Sequence, residues 1–119
     1  MKKNQIEKSI AKLGDIMTHF GSNRPWKGFE IGLTEDEHIA FNELIENMKH
    51  YNGWYSEDMV RKSLLQHGTV LTQENLRDWT SHYEYNTIPK TIAIIMAGNI
   101  PLVGFHDFIC VLCSGNRVL

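Results

Sequence analysis

Residues 89–119 read PKTIAIIMAGNIPLVGFHDFICVLCSGNRVL, from Pro89 to Leu119. Residues 91–96 form a short, continuous apolar run rich in isoleucine, the pattern of a strand buried on both faces in a parallel sheet. Ala97-Gly98-Asn99-Ile100-Pro101 then changes the chemistry. Glycine tolerates backbone angles that other residues resist, asparagine caps helices, and proline lacks the N–H that a first helical turn leaves unused. Residues 102–113 are apolar on nearly every side, as expected of a helix packed on a sheet and covered again. Ser114-Gly115-Asn116 stops that helix, and Arg117-Val118-Leu119 opens a second β-like run. The order strand, turn, helix, strand predicts a βαβ unit and an α/β fold class for the chain.

The first turn of such a unit is where open α/β sheets bind their ligands, outside the carboxyl ends of the strands. Asn99 lies there. Its amide can cap the following helix, or it can donate a hydrogen bond to an oxyanion developing on a substrate. Spacing alone leaves both roles open.

Upstream, residues 1–88 read as a helical segment. Ile6, Ile10, Leu13, Met17 and Phe20 recur at three- and four-residue steps, predicting an amphipathic helix over residues 5–20 that packs against a neighbouring helix. Residues 21–25, GSNRP, break it, and residues 26–33 are irregular. Thr34 with Glu37 is a capping box, and Phe41, Leu44, Ile45 and Met48 mark the inner face of a helix ending at Asn52-Gly53. Ser56 caps the next helix, with Glu57 and Asp58 near its positive end. Met59, Val60, Ser63 and Leu64 form its inner stripe, and Gly68 is expected to terminate it. Thr72 starts a fourth helix carrying Leu76, Trp79 and Tyr83, and residues 86–89 link it to the predicted sheet. Trp54 and Tyr55, between two helices, could hold a ligand's ring or acyl chain, although core packing is the commoner use of such a pair.

Several residue types invite chemistry that their settings do not support. Cys110 and Cys113 have redox or zinc spacing, but they fall late in an apolar helix, and no second cysteine pair supplies zinc ligands. They are expected to be buried, reduced thiols. Six histidines, His19, His38, His50, His67, His82 and His106, are scattered singly, so no metal site is predicted. His106 and Asp107 interrupt an otherwise apolar helix, and a buried charge there needs a partner or a pocket. Neither a dinucleotide fingerprint of the G-x-G-x-x-G kind nor a P-loop is present.

The chain has 119 residues, 42% hydrophobic and 22% charged, with a formal net charge of -2. That composition is ordinary for one globular unit, and the charge offers no reason to expect a nucleic-acid partner. The apolar stretch near the end is interrupted by Pro101, His106 and Asp107, so no membrane span is predicted. The start MKKNQIE lacks an apolar signal core, and a cytoplasmic location is expected.

The run IIMAGNIPLVGFHDFICVLCSGNRVL, together with NGWYSEDMVRKSL and LTQENLRDW, resembles the acyl-CoA reductase family, the long-chain fatty aldehyde-forming branch of the aldehyde dehydrogenase superfamily. The resemblance covers residues from about Asn52 to Leu119 and the first half only loosely. It implies that residues 89–119 begin a Rossmann-type dinucleotide-binding domain, cut inside its second strand, so that the chain is an amino-terminal fragment. It implies NADPH as cofactor, with Met96, Ala97 and Gly98 near the nicotinamide and Asn99 stabilising the thioester oxyanion. The nucleophilic cysteine of the family would lie beyond Leu119. The substrate would be a fatty acyl-CoA or acyl-protein thioester, and the isolated chain would be inactive. Unpaired strand edges would favour homo-oligomers. A rival reading is a small, mostly helical interaction domain with no chemistry of its own.

Overall fold

The computed structural model describes residues 1–119 and contains six helices and two short strands. In chain order these are α1 (Lys3–Gly21), α2 (Glu35–Glu46), α3 (Met48–Tyr51), α4 (Glu57–Val70), α5 (Gln73–Thr80), β1 (Thr91–Ile92), α6 (Phe105–Cys113) and β2 (Arg117–Val118), with one tight helical turn at Phe29–Ile31 between α1 and α2. No helix is long and apolar enough to cross a membrane.

Local chemistry explains three of the six helix starts. Thr34 accepts from the Glu37 N–H while the Glu37 carboxylate takes the Thr34 N–H, so the capping box opens α2. The Ser56 hydroxyl accepts from the Met59 N–H, and the Thr72 hydroxyl from the Asn75 N–H. At the far end of α6, Gly115 takes the left-handed conformation. The Gly115 N–H then bonds to the Leu112 carbonyl and the Asn116 N–H to the Val111 carbonyl. This pair of bonds is a Schellman closure, and it satisfies carbonyls that the helix end would otherwise leave free.

The core is built on α1 lying along α4. Ile10, Met17 and Phe20 of α1 meet Val60 and Leu64 of α4, and Ile45, Leu71, Leu76, Ile109 and Cys113 close the cluster. Thus α6 joins the same core as the helices before it. Three glycines let the two long helices approach. A Cβ added at Gly14 would come within 2.7 Å of the Leu71 carbonyl oxygen, and one at Gly68 within 2.7 Å of the Thr18 backbone nitrogen. At Gly21 it would meet the Leu65 backbone nitrogen at 2.5 Å. The interior also holds a polar tie: the buried Thr80 hydroxyl donates to the Glu7 carboxylate at 2.7 Å, and Lys3 Nζ donates to the Thr80 carbonyl.

The α/β expectation is corrected. The chain is 58% helical with only two short parallel strands, a small helical domain and not a Rossmann-type βαβ unit. Thr91 pairs with Arg117 and Ile92 with Val118, and one further bond runs from the Ile94 N–H to the Leu119 carbonyl. The predicted strand over residues 91–96 shrinks to two residues, and Ile95 is 99% exposed where burial was expected. An apolar run becomes a buried strand only when neighbouring strands and covering layers exist, and a two-stranded ladder supplies neither. The following helix begins at Phe105, three residues later than expected.

Smaller corrections have equally local causes. Gly68 does not end α4, which continues to Val70, because the glycine is needed at the contact with α1. α2 ends at Glu46, and after Asn47 the short α3 completes the stretch toward Asn52. Phe41 and Leu44 remain partly exposed while Ile45 is buried, and α5 stops before Tyr83.

Replacing a helical glycine by alanine at an open site stabilises a protein by up to about 1 kcal/mol. At Gly68 the new methyl would press on backbone atoms, so Gly68→Ala is expected to destabilise the domain by about 1–3 kcal/mol in urea unfolding. A neutral or stabilising result would show that α1 and α4 do not approach this closely.

Candidate functional site

The chemistry-bearing stretch is the turn joining β1 to α6. Asn99 is exposed, and its side chain takes no hydrogen-bond partner within the chain. It does not cap α6, whose N-cap is Gly104 with no side-chain cap bond. The capping role therefore does not account for Asn99.

The turn is held from the α3–α4 junction. Asn52 Nδ2 donates to the Gly98 carbonyl at 2.9 Å, and the Tyr55 hydroxyl donates to the Ile100 carbonyl at 3.0 Å. These two carbonyls lie before and after Asn99, so the turn is held at both ends while the amide remains free. Asn52 is itself oriented: its Oδ1 accepts from the Trp54 N–H at 3.0 Å. Tyr55 packs its ring against the core while its hydroxyl reaches the turn. Trp54, read as a partner in core packing, is instead 74% exposed.

The backbone after Asn99 is strained. Leu102 has φ of +60°, a left-handed conformation that costs a residue with a Cβ about 1–2 kcal/mol. Packing of the Leu102 side chain on the core offsets that cost, and Pro101 beside it is buried. Strain of this kind gathers where a loop is held in one shape by its surroundings.

Of the residues expected near a nicotinamide, Ala97 and Gly98 are exposed, and a Cβ on Gly98 would meet nothing within 4 Å. That open backbone could admit a flat ring. The Met96 side chain turns the other way, onto Gly104, where a Cβ would clash with its Cγ. A hollow of about 460 Å³ adjoins the turn, lined by Ile100, Pro101, Leu102, Val103, Met59 and Lys62 among others. It shares His67 with a second hollow of about 300 Å³, which in turn shares Trp79 and His106 with a third of about 580 Å³ between α5 and α6.

His106 and Asp107 are both exposed, so the expected buried charge does not exist. His106 faces the two hollows beside Trp79, with its Nε2 at 3.5 Å from Cys110 Sγ. Cys113 is buried and Cys110 half-buried, both free thiols. Burial, with the nearby Cys110 and Glu7, pushes the Cys113 thiol up to about 11. Burial and Asp107 also raise Cys110. Neither is a ready nucleophile.

Two arrangements escaped the sequence reading. The Asn52 and Tyr55 bonds span 46 and 45 positions, and nothing local announces them. His19 and His38, read as isolated, meet in the interior with their Nε2 atoms 2.8 Å apart. Their positions at the end of one helix and the start of the next were the only available signal.

Comparison with protein-family models, curated proteins and solved structures returns no match for this chain.

Combining Asn52→Ala with Tyr55→Phe is expected to free the turn. The backbone order parameter at Asn99 should fall from about 0.85 in the parent to below about 0.6 in the double variant, measured by nitrogen-15 relaxation. An unchanged value would mean that the turn is held by other contacts. Separately, alkylation near pH 8 should label Cys110 well before Cys113, because less burial opposes its thiolate. Equal labelling would contradict the packing around Cys113.

Proposed function

We propose that this chain is the amino-terminal part of an acyl-CoA reductase, which reduces a fatty acyl thioester to an aldehyde, and that Asn99 donates a hydrogen bond to the thioester oxygen as negative charge develops there. One observation carries the proposal. Two of the phrases behind the family resemblance, NGWY and AGNIP, start 45 positions apart in the chain, yet Asn52 and Tyr55 of the first hold carbonyls before and after Asn99 in the second. The held backbone keeps the unpaired Asn99 amide near one place, which favours an oxyanion donor, because such a donor acts best when positioned before the charge forms.

In the proposed reaction a cysteine elsewhere in the complete enzyme displaces the carrier thiol from the thioester. NADPH, when bound, would supply the hydride that takes the cysteine-bound acyl group to the aldehyde, with the C–S bond breaking and the cysteine leaving as thiolate. The contribution of this chain is positional: Asn52 and Tyr55 hold the turn, Asn99 meets the oxyanion, and the bare backbone at Ala97 and Gly98 leaves room for a ring. The substrate class is a fatty acyl thioester, on coenzyme A or on a protein.

A second reading, a non-catalytic interaction domain, has its own support. Ile88, Ile95, Trp54 and Tyr51 are each more than 70% exposed, and the strand ladder has open edges through which copies of the chain could associate.

The test uses a longer protein that carries this chain together with a cysteine-bearing catalytic region. Asn99→Ala should lower turnover by about one hundredfold or more, the scale of losing one oxyanion donor, with cofactor affinity little changed. Turnover within about threefold of the parent would return Asn99 to an ordinary turn residue and favour the interaction-domain reading.

A further inference from the structure

His19, in the last turn of α1, and His38, in the first turns of α2, are 6% and 5% exposed. Their Nε2 atoms lie 2.8 Å apart, so a single hydrogen bridges two ring nitrogens: one imidazole donates and the other accepts. Phe20 stacks on the His38 ring at 4.9 Å and meets His19 edge-on at 5.3 Å, and Phe41 covers Phe20 at 4.6 Å. The pair is thus wrapped in aromatic carbon. It is no obvious metal centre, because no third histidine, cysteine or carboxylate joins it.

The charged groups nearby are cationic. Arg24 and Lys27, from the segment after α1, both act on His19. From α4, the buried Arg61 donates to the carbonyl of the neighbouring Phe20 at 2.8 Å and to Asn42 of α2 at 3.3 Å, with Glu57 at 2.9 Å as its carboxylate partner. The acidic residues in the first turn of α2, Glu35, Asp36 and Glu37, are exposed, and Glu37 is engaged by the cap. No carboxylate contacts either imidazole to stabilise a second positive charge.

We propose that the His19–His38 hydrogen bond is a pH-sensitive latch that keeps the amino-terminal half of α2 closed on the end of α1 and releases it when both imidazoles are protonated. One added proton leaves the bridge intact, since it can reside on an Nδ1 while one hydrogen remains between the Nε2 atoms. A second places a hydrogen on both facing nitrogens, which then repel in a site without counter-charge. Burial, then His38, Arg24 and Lys27, hold His19 below the ordinary histidine range. The sign follows: the open form binds more protons than the closed one, so closure is fully favoured above about pH 6.5 and weakens as pH falls below it. Ile45, fully buried farther along α2, keeps the second half of the helix on the core.

The experiment is amide hydrogen exchange of the whole chain, followed residue by residue from about pH 7.5 to about pH 5 and corrected for intrinsic rates. Protection over residues 39–43 should fall by up to about tenfold per pH unit for each proton taken up on opening, while Leu64 in α4 keeps its protection. In His38→Gln the amide can partner His19 in either protonation state, so the pH dependence over residues 39–43 should weaken to what the burial of His19 alone causes, with protection retained. His19→Gln tests the same point from the other side. Protection independent of pH in the parent would overturn the latch, and so would equal loss in α2 and α4, which would be global unfolding. A pH dependence unaltered in both glutamine variants would overturn it too.

Discussion

The backbones of α1 and α4 touch where Gly14 and Gly68 face each other, and that contact sets the geometry of everything around it. A Cβ on Gly68 would fall 2.8 Å from the Gly14 carbonyl, and one on Gly14 would fall 3.0 Å from the Gly68 carbonyl. With the helices this close, Ile10, Met17 and Phe20 pack in one buried cluster with Val60 and Leu64. Seven residues along, Gly21 repeats the device against Leu65. A modest core, with 21 of 119 residues buried, can tolerate little slack at its central seam.

Arg61 shows how the same seam organises the polar groups. Its side chain is buried on α4, yet it reaches the Phe20 carbonyl at the end of α1, Asn42 on α2 and Glu57 one turn back. A cation at a helix carboxyl end is favourable on its own, and here it adds a second donor to the Phe20 carbonyl, which also accepts from the Asn23 N–H where α1 stops. Three elements therefore converge on one guanidinium, whose fork of donors suits the task better than an ammonium would. The His19–His38 pair lies beside this junction, where burial by Phe20 and Phe41 makes its hydrogen bond depend on protonation.

The other end of the molecule is built differently. The two-residue ladder, the strained Leu102 and the exposed isoleucines contribute little to the core, and the turn around Asn99 keeps its shape through Asn52 and Tyr55. The radius of gyration, 15.3 Å, exceeds the roughly 13.5 Å typical of this length, which fits a helical core carrying a projecting segment. A rigid core with an open, clamped turn at its margin suits a site that another surface must complete.

What the sequence determined by itself was local. Thr34, Ser56 and Thr72 open three helices through bonds that span three residues, and the stripe of Ile10, Met17 and Phe20 turned inward as its spacing required. Gly115 closed α6 because few other residues accept its backbone angles. Tertiary structure decided the rest. Residues 91–96 carry the pattern of a buried strand and lie largely exposed, because burial is a property of the neighbours and not of the run. Gly68 reads as a helix stop and serves as a contact, since a glycine's missing side chain matters only once another backbone arrives. The partners of Asn52, Tyr55, His19 and His38 are set by where helices cross, and a spacing rule reaches only a few residues. Chain-local hydrogen bonding and periodicity were legible for that reason, whereas long-range encounters, on which the candidate site depends, were not.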